Sequence, residues 1–167
     1  MTELIFTLMQ LKINKMRQIF YLMIVLFVAV SNQAEAQDTS IFPKGEKAPA
    51  DRFTGTVWIF PLIQPQDSLD CVSSSVTFEP GARTNWHMHP GGQALLVIEG
   101  KGYYQERGMR VRIIQKGDVV KCPPRVEHWH GASPDTKLTH IAIVTNAEKG
   151  NSVWLQKVTD KQYKDLE

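Results

Sequence analysis

The sequence predicts an all-β domain, a sandwich or barrel, carried behind a removable leader. Two observations point to β structure. Apolar runs are short, and Gly, Pro, Asp and Asn break them at regular intervals. Helical periodicity is weak except over residues 160–166, where a terminal turn or short helix is expected. The leader rests on a third observation, the uncharged stretch IFYLMIVLFVAV at residues 19–30.

That stretch is too short to cross a bilayer comfortably, where about twenty residues are needed. Lys12, Lys15 and Arg17 precede it, and Ala34-Glu35-Ala36 follows as an A-x-A pattern. Basic segment, apolar segment and small-residue site together read as a signal peptide over residues 1–36, cleaved after Ala36. Met16 offers a more ordinary start. The competing reading is an uncleaved anchor. Cleavage implies a periplasmic or secreted destination and leaves no stable membrane span.

Residues 37–52 are polar, contain Pro43, Gly45 and Pro49, and read as an extended arm. Residues 53–167 form the folded domain. Its candidate strands are 55–61, 71–78, 84–89, 94–99, 102–106, 110–115, 118–122, 127–131, 139–145 and 153–157. The turns between them include Glu79-Pro80-Gly81, Pro90-Gly91-Gly92, Glu99-Gly100-Lys101-Gly102 and Lys116-Gly117-Asp118. Alternation in 71–78 puts Val72, Ser74, Val76 and Phe78 on the apolar, core-facing side. In 139–145, His140, Ala142 and Val144 share a face.

Composition excludes several classes. The chain is 43% hydrophobic and 22% charged, so it can build a core. A net charge of +2 is too balanced for a nucleic-acid footprint. Cys71 and Cys122 are too few for a disulfide scaffold, although one bridge is chemically allowed outside the cytoplasm; the alternative is two small buried thiols.

All five histidines fall between His87 and His140. His87 and His89 are two apart on a candidate strand and project from one face. His128 and His130 repeat that spacing. Gln93 follows the Pro90-Gly91-Gly92 turn and can point back toward the first pair. Two H-x-H pairs in an all-β chain suit a transition-metal site far better than one would.

Gly81-ARTNW-His87-Met88-His89-PGG-Gln93-ALLVIE-Gly100 resembles the first cupin motif, with Gln93 where most cupins have Glu. Gly117-DVVKC-Pro123-Pro124-Arg125-Val126-Glu127-His128 resembles the second, with Arg125 replacing the usual Gly. The resemblance implies a double-stranded β-helix, a jelly-roll barrel, holding one divalent metal on His87, His89, Gln93 and His128. FTGTVW, HWHGA, THIAI and WLQKVTDKQY are similar to the small bacterial cupins that include the manganese-dependent (R)-selective hydroxynitrile lyases. Those also pair three histidines with a glutamine. The likeness puts His140 and Thr84 at proton-moving and substrate-holding positions, and Ser74, Val76 and Val144 at pocket-lining ones.

Three imidazoles and an amide leave the charge of a divalent ion uncompensated, which strengthens it as a Lewis acid. Four protein ligands leave two positions of an octahedron open. That geometry suits Mn, Fe, Co or Ni better than structural Zn, and the resemblance puts Mn first, with Fe, Co, Ni or Zn as alternatives. His140 is the natural base, and His130 is expected at the barrel mouth or behind a ligand. The first expectation is a lyase acting on a small carbonyl or hydroxy compound. Its rivals are a cupin dioxygenase and a non-catalytic module binding a small ligand or metal. A small-molecule substrate and an even homo-oligomer, a dimer or larger, are expected, with the arm available to cover an open strand edge.

Overall fold

A computed structural model describes residues 2–31 and 40–165. It contains two compact units, residues 1–39 and 40–167. In the first, α1 (Thr2–Ser31) carries the apolar stretch of residues 19–30. Among the described residues no helix is long and apolar enough to cross a membrane. The expected cleavage site after Ala36 and residues 37–39 of the arm lie outside the described residues.

The second unit is antiparallel β structure closed by a small helix. Its strands are β1 (Glu46–Lys47), β2 (Phe53–Thr54), β3 (Val57–Ile63), β4 (Cys71–Phe78), β5 (Arg83–Thr84) and β6 (His87–Met88). They continue as β7 (Gln93–Glu106), β8 (Arg112–Gln115), β9 (Val119–Cys122), β10 (His128–Ala132), β11 (Leu138–Thr145) and β12 (Val153–Trp154). One curled face has the order β1-β3-β4-β11-β7, with β9 on the far side of β7. The other joins β7 to β10, β5 and β2, while β6 bridges β10 and β12.

Strand β7 belongs to both faces, which corrects the expected turn at 99–102. Residues 93–99 pair with β11, and 101–106 pair with β8 and β10. Gly100 makes the corner, at φ 78°. A Cβ there would collide with the Lys137 carbonyl. The glycine therefore bends a continuing strand instead of ending it.

The inner face follows the alternation. Val76 and Phe78 on β4 meet Leu95 and Val97 on β7 and Leu138 on β11 in one buried cluster. Full burial of side chains such as Phe78, Leu95 and Leu138 contributes about 1.5–3 kcal/mol each. Strand β10 is buried on both faces. Trp129 on its outer side packs with Tyr103, Trp86 and Tyr163. Tyr163 lies on α2 (Asp160–Lys164), capped by reciprocal Thr159–Gln162 bonds, and its hydroxyl donates to the Ala132 carbonyl at 2.7 Å.

Cys71 and Cys122 are free, the first half-buried at the start of β4 and the second buried on β9. Strands β11 and β7 lie between their strands. The arm pairs with its own chain, Glu46 opposite Ile59 and Lys47 opposite Trp58. Arg125, standing where the cupin motif has Gly, sits at φ 64°. A side chain in the left-handed region costs about 1–2 kcal/mol, partly offset by the greater chain entropy that glycine loses. Arg125→Gly should therefore raise the stability by about 0.5–1 kcal/mol, read as a higher urea midpoint at unchanged slope.

Candidate metal centre

Period-two alternation aims His128 and His130 inward from β10 and leaves Trp129 outside. Antiparallel pairing then sets His128 directly opposite His87 of β6. His140 lies opposite Val76 and Val97. Both H-x-H pairs thus converge: the rings of His87 and His128 are 4.3 Å apart, those of His87 and His89 5.1 Å, and those of His128 and His130 6.0 Å. Ligand atoms of His87, His128 and His130 lie within 4.8 Å of one another, a group suited to one metal ion.

Backbone carbonyls orient three of the rings. Nδ1–H of His87 donates to Asn85 at 3.0 Å, that of His128 to Val126 at 2.9 Å, and that of His89 to Asn151 at 2.5 Å. Each bond leaves Nε2 as a lone pair. Nε2 of His128 then faces the Gln93 Oε1 at 3.2 Å, an acceptor meeting an acceptor. Nε2 of His89 is buried without a partner. Convergent lone pairs with no donor are what a shared cation satisfies, so the donor set fits a metal.

Burial keeps the rings neutral, the form that binds metals. Desolvation holds His140 down to about 3 and His128 to about 4. It also carries His87 and His130 well below the ordinary imidazole range, helped by neighbouring histidines. His89 is lowered by the same cause.

A cavity of about 360 Å³ opens onto this cluster. Thr84, His87, His89, Gln93, His130 and His140 line its polar end, and Ser74, Val76 and Val144 line its wall. His128, fully buried, stands behind His87. All the residues singled out from the sequence therefore gather in one place. Thr84 Oγ1 accepts from the His130 backbone N–H at 3.1 Å, which frees its own proton. Nε2 of His140 meets Nδ1 of His130 at 3.2 Å, while His140 Nδ1 has no partner.

Other lining residues, among them Arg52, Asn151, Ser152 and Trp154, were given no site role by the sequence. Trp154 stacks on His87 at 4.8 Å and 26°. Asn151 acts through its carbonyl, which any residue would supply.

The cupin domain family profile matches residues 74–144. The chain is 51% identical over 118 residues to an (R)-mandelonitrile lyase from Granulicella tundricola, covering 71% of this chain and 90% of that one. The chain is a cupin. A crystal structure of a cupin-like protein from Thermotoga maritima is 50% identical, with TM-score 0.74 over 76% of this cupin and 96% of that chain. A DMSP lyase from Ruegeria pomeroyi shares the fold, at 18% identity and TM-score 0.55 over 72% of this chain and 62% of that one. Among these relatives, the mandelonitrile lyase makes an enzymatic role for this cupin the direct reading.

Proposed function

We propose that this cupin is a metal-dependent lyase that splits and forms cyanohydrins of small aldehydes, the reaction class named for its 51% identical relative. The observation that carries the reading is a buried metal-competent histidine group at the end of a small cavity that also holds an uncommitted imidazole nitrogen. We assign the metal to His87, His89, Gln93 and His128. When bound, a divalent ion, which we take to be manganese, supplies Lewis-acid stabilisation of negative charge that no carboxylate offsets.

The His130–His140 bond supports this set. If His130 bound the metal through Nε2, its Nδ1–H would donate to His140 Nε2. The neutral His140 would then carry its proton on Nδ1 and have no lone pair for a substrate. If His130 instead keeps its proton on Nε2, it accepts from His140 Nε2–H, and His140 Nδ1 is a free base. A ligand role for His130 and a base role for neutral His140 exclude each other.

In cleavage, His140 Nδ1 takes the cyanohydrin hydroxyl proton. The O–H electron pair forms the carbonyl, the C–C bond breaks, and cyanide leaves with its electrons. His130 Nδ1, accepting from Nε2–H, steadies the imidazolium. Thr84 donates its free hydroxyl proton to the substrate oxygen and orients it. Val76 and Val144 give the side of the cavity an apolar wall against water.

The test is turnover of racemic mandelonitrile with the residual enantiomer resolved, with and without oxygen. After chelation, activity should vanish and return best with manganese, and the aerobic and anaerobic rates should agree. Dependence on oxygen would favour a dioxygenase, and activity that survived complete metal removal would defeat the assignment.

A further inference from the structure

We infer that Arg52 is a carboxylate-recognition residue of the cavity, so that the preferred substrate is a small carbonyl or hydroxy compound bearing a carboxylate at its far end. This rests on the lyase reading for the chemistry at the histidine end.

With the histidines neutral, Arg52 is, among the described residues, the only formally charged one lining the cavity, and no carboxylate among them lines it. Its guanidinium is half-exposed, and its one ionic neighbour among the described residues is Asp51, at 3.8 Å. That carboxylate is itself 73% exposed, and the contact is single-point. The forked donor edge of the guanidinium is therefore available, and a fork of this kind matches a carboxylate with two parallel hydrogen bonds.

The position of Arg52 is built, although it lies at the end of the arm. Its carbonyl accepts from the Asn85 N–H at 2.8 Å, and the Asn85 side-chain amide donates to the Asp51 carbonyl at 2.8 Å. Asn85 in turn holds His87 through its own carbonyl. The guanidinium lies over the Trp154 ring at 5.7 Å, and the same ring stacks on His87 at 4.8 Å. One aromatic ring thus touches both the cation and the histidine group. Apolar Phe53, Ile59 and Val76 line the same cavity. A rigid molecule with an aldehyde at one end and a carboxylate at the other matches a cavity that offers a histidine group, an apolar wall and one cation.

The experiment compares 4-carboxybenzaldehyde with its neutral near-isostere 4-carbamoylbenzaldehyde in cyanohydrin formation by the metal-loaded protein. The ratio of their kcat/KM values should be about tenfold or more in favour of the carboxylate, the effect of one charge-assisted pair. In Arg52→Gln the ratio should fall to near one, and Arg52→Lys should keep part of it. A ratio near one in the unaltered protein overturns the inference. So does a ratio that survives Arg52→Gln, since the charge would then be felt elsewhere. Calorimetric binding of the matching benzyl alcohols reads the same ratio without turnover. If that ratio holds and benzaldehyde itself is not converted, the lyase reading fails and the carboxylate site stands.

Discussion

Replacing His140 by Ala should lower kcat for mandelonitrile cleavage by about 10²–10⁴-fold, the usual worth of a positioned general base, with metal content per chain unchanged. His140 is wholly buried and packs on Phe78 at 5.5 Å and on His130 at 4.8 Å. The truncation therefore also leaves a hole, costing about 2–4 kcal/mol of stability. Added imidazole can fill that hole and return a base, so partial rescue that rises with imidazole concentration separates lost chemistry from lost packing. His130→Ala sharpens the point. His130 acts through His140, so its loss should lower kcat more than it raises KM and leave the metal in place. Metal lost from His130→Ala but kept in His140→Ala would move the ligand set to His87, His128 and His130. Full activity in His140→Ala with normal metal content would remove the base.

Much of this site can be read from spacing, because a strand has a period of two and a turn has a fixed reach. Strand β4 falls on residues 71–78 as its alternation indicates, since Val76 and Phe78 must be inside and only one register does that. The two H-x-H pairs face inward for the same reason. What spacing cannot convey is partnership across distant segments. The hydrogen bond from His89 ends on the Asn151 carbonyl, and a carbonyl has no residue signature. Arg52 looks like a charge in a polar arm until Asn85 pins it beside Trp154. Glu99-Gly100-Lys101-Gly102 has the composition of a turn, yet pairing on both sides carries the strand through. Local chemistry proposed a reversal there, and the two-faced sheet required only a corner.

The metal-free protein should lose several kcal/mol of stability between pH 6.5 and pH 4.5. The sign follows from where the protons go. Burial depresses the folded values of the histidines, His140 to about 3 and His128 to about 4, while the unfolded chain titrates near 6.5. Well above 6.5 neither state is protonated and the contribution is fully present. Below it the unfolded chain gains protons that the folded one refuses, so stability falls with pH until each folded value is passed. Once the unfolded imidazole is protonated, one such histidine costs about 1.4 kcal/mol per pH unit, so His128 and His140 alone approach about 4 kcal/mol between pH 6.5 and pH 4.5. Against the 5–15 kcal/mol typical of a domain, that is a large share of the total. Urea midpoints of the chelated protein at pH 7, 6 and 5 should drop steadily at constant slope. Saturating manganese should hold the midpoint up at pH 6, because ligand lone pairs engaged by a metal are closed to protons. Replacing His140 by Leu should shallow the pH dependence by about 1.4 kcal/mol per unit, since one buried proton acceptor is gone. A metal-free protein equally stable at pH 7 and pH 5 would mean that the cluster is not kept neutral by burial. The free Nδ1 of His140 would then lose the low-dielectric setting that the proposed proton transfer uses.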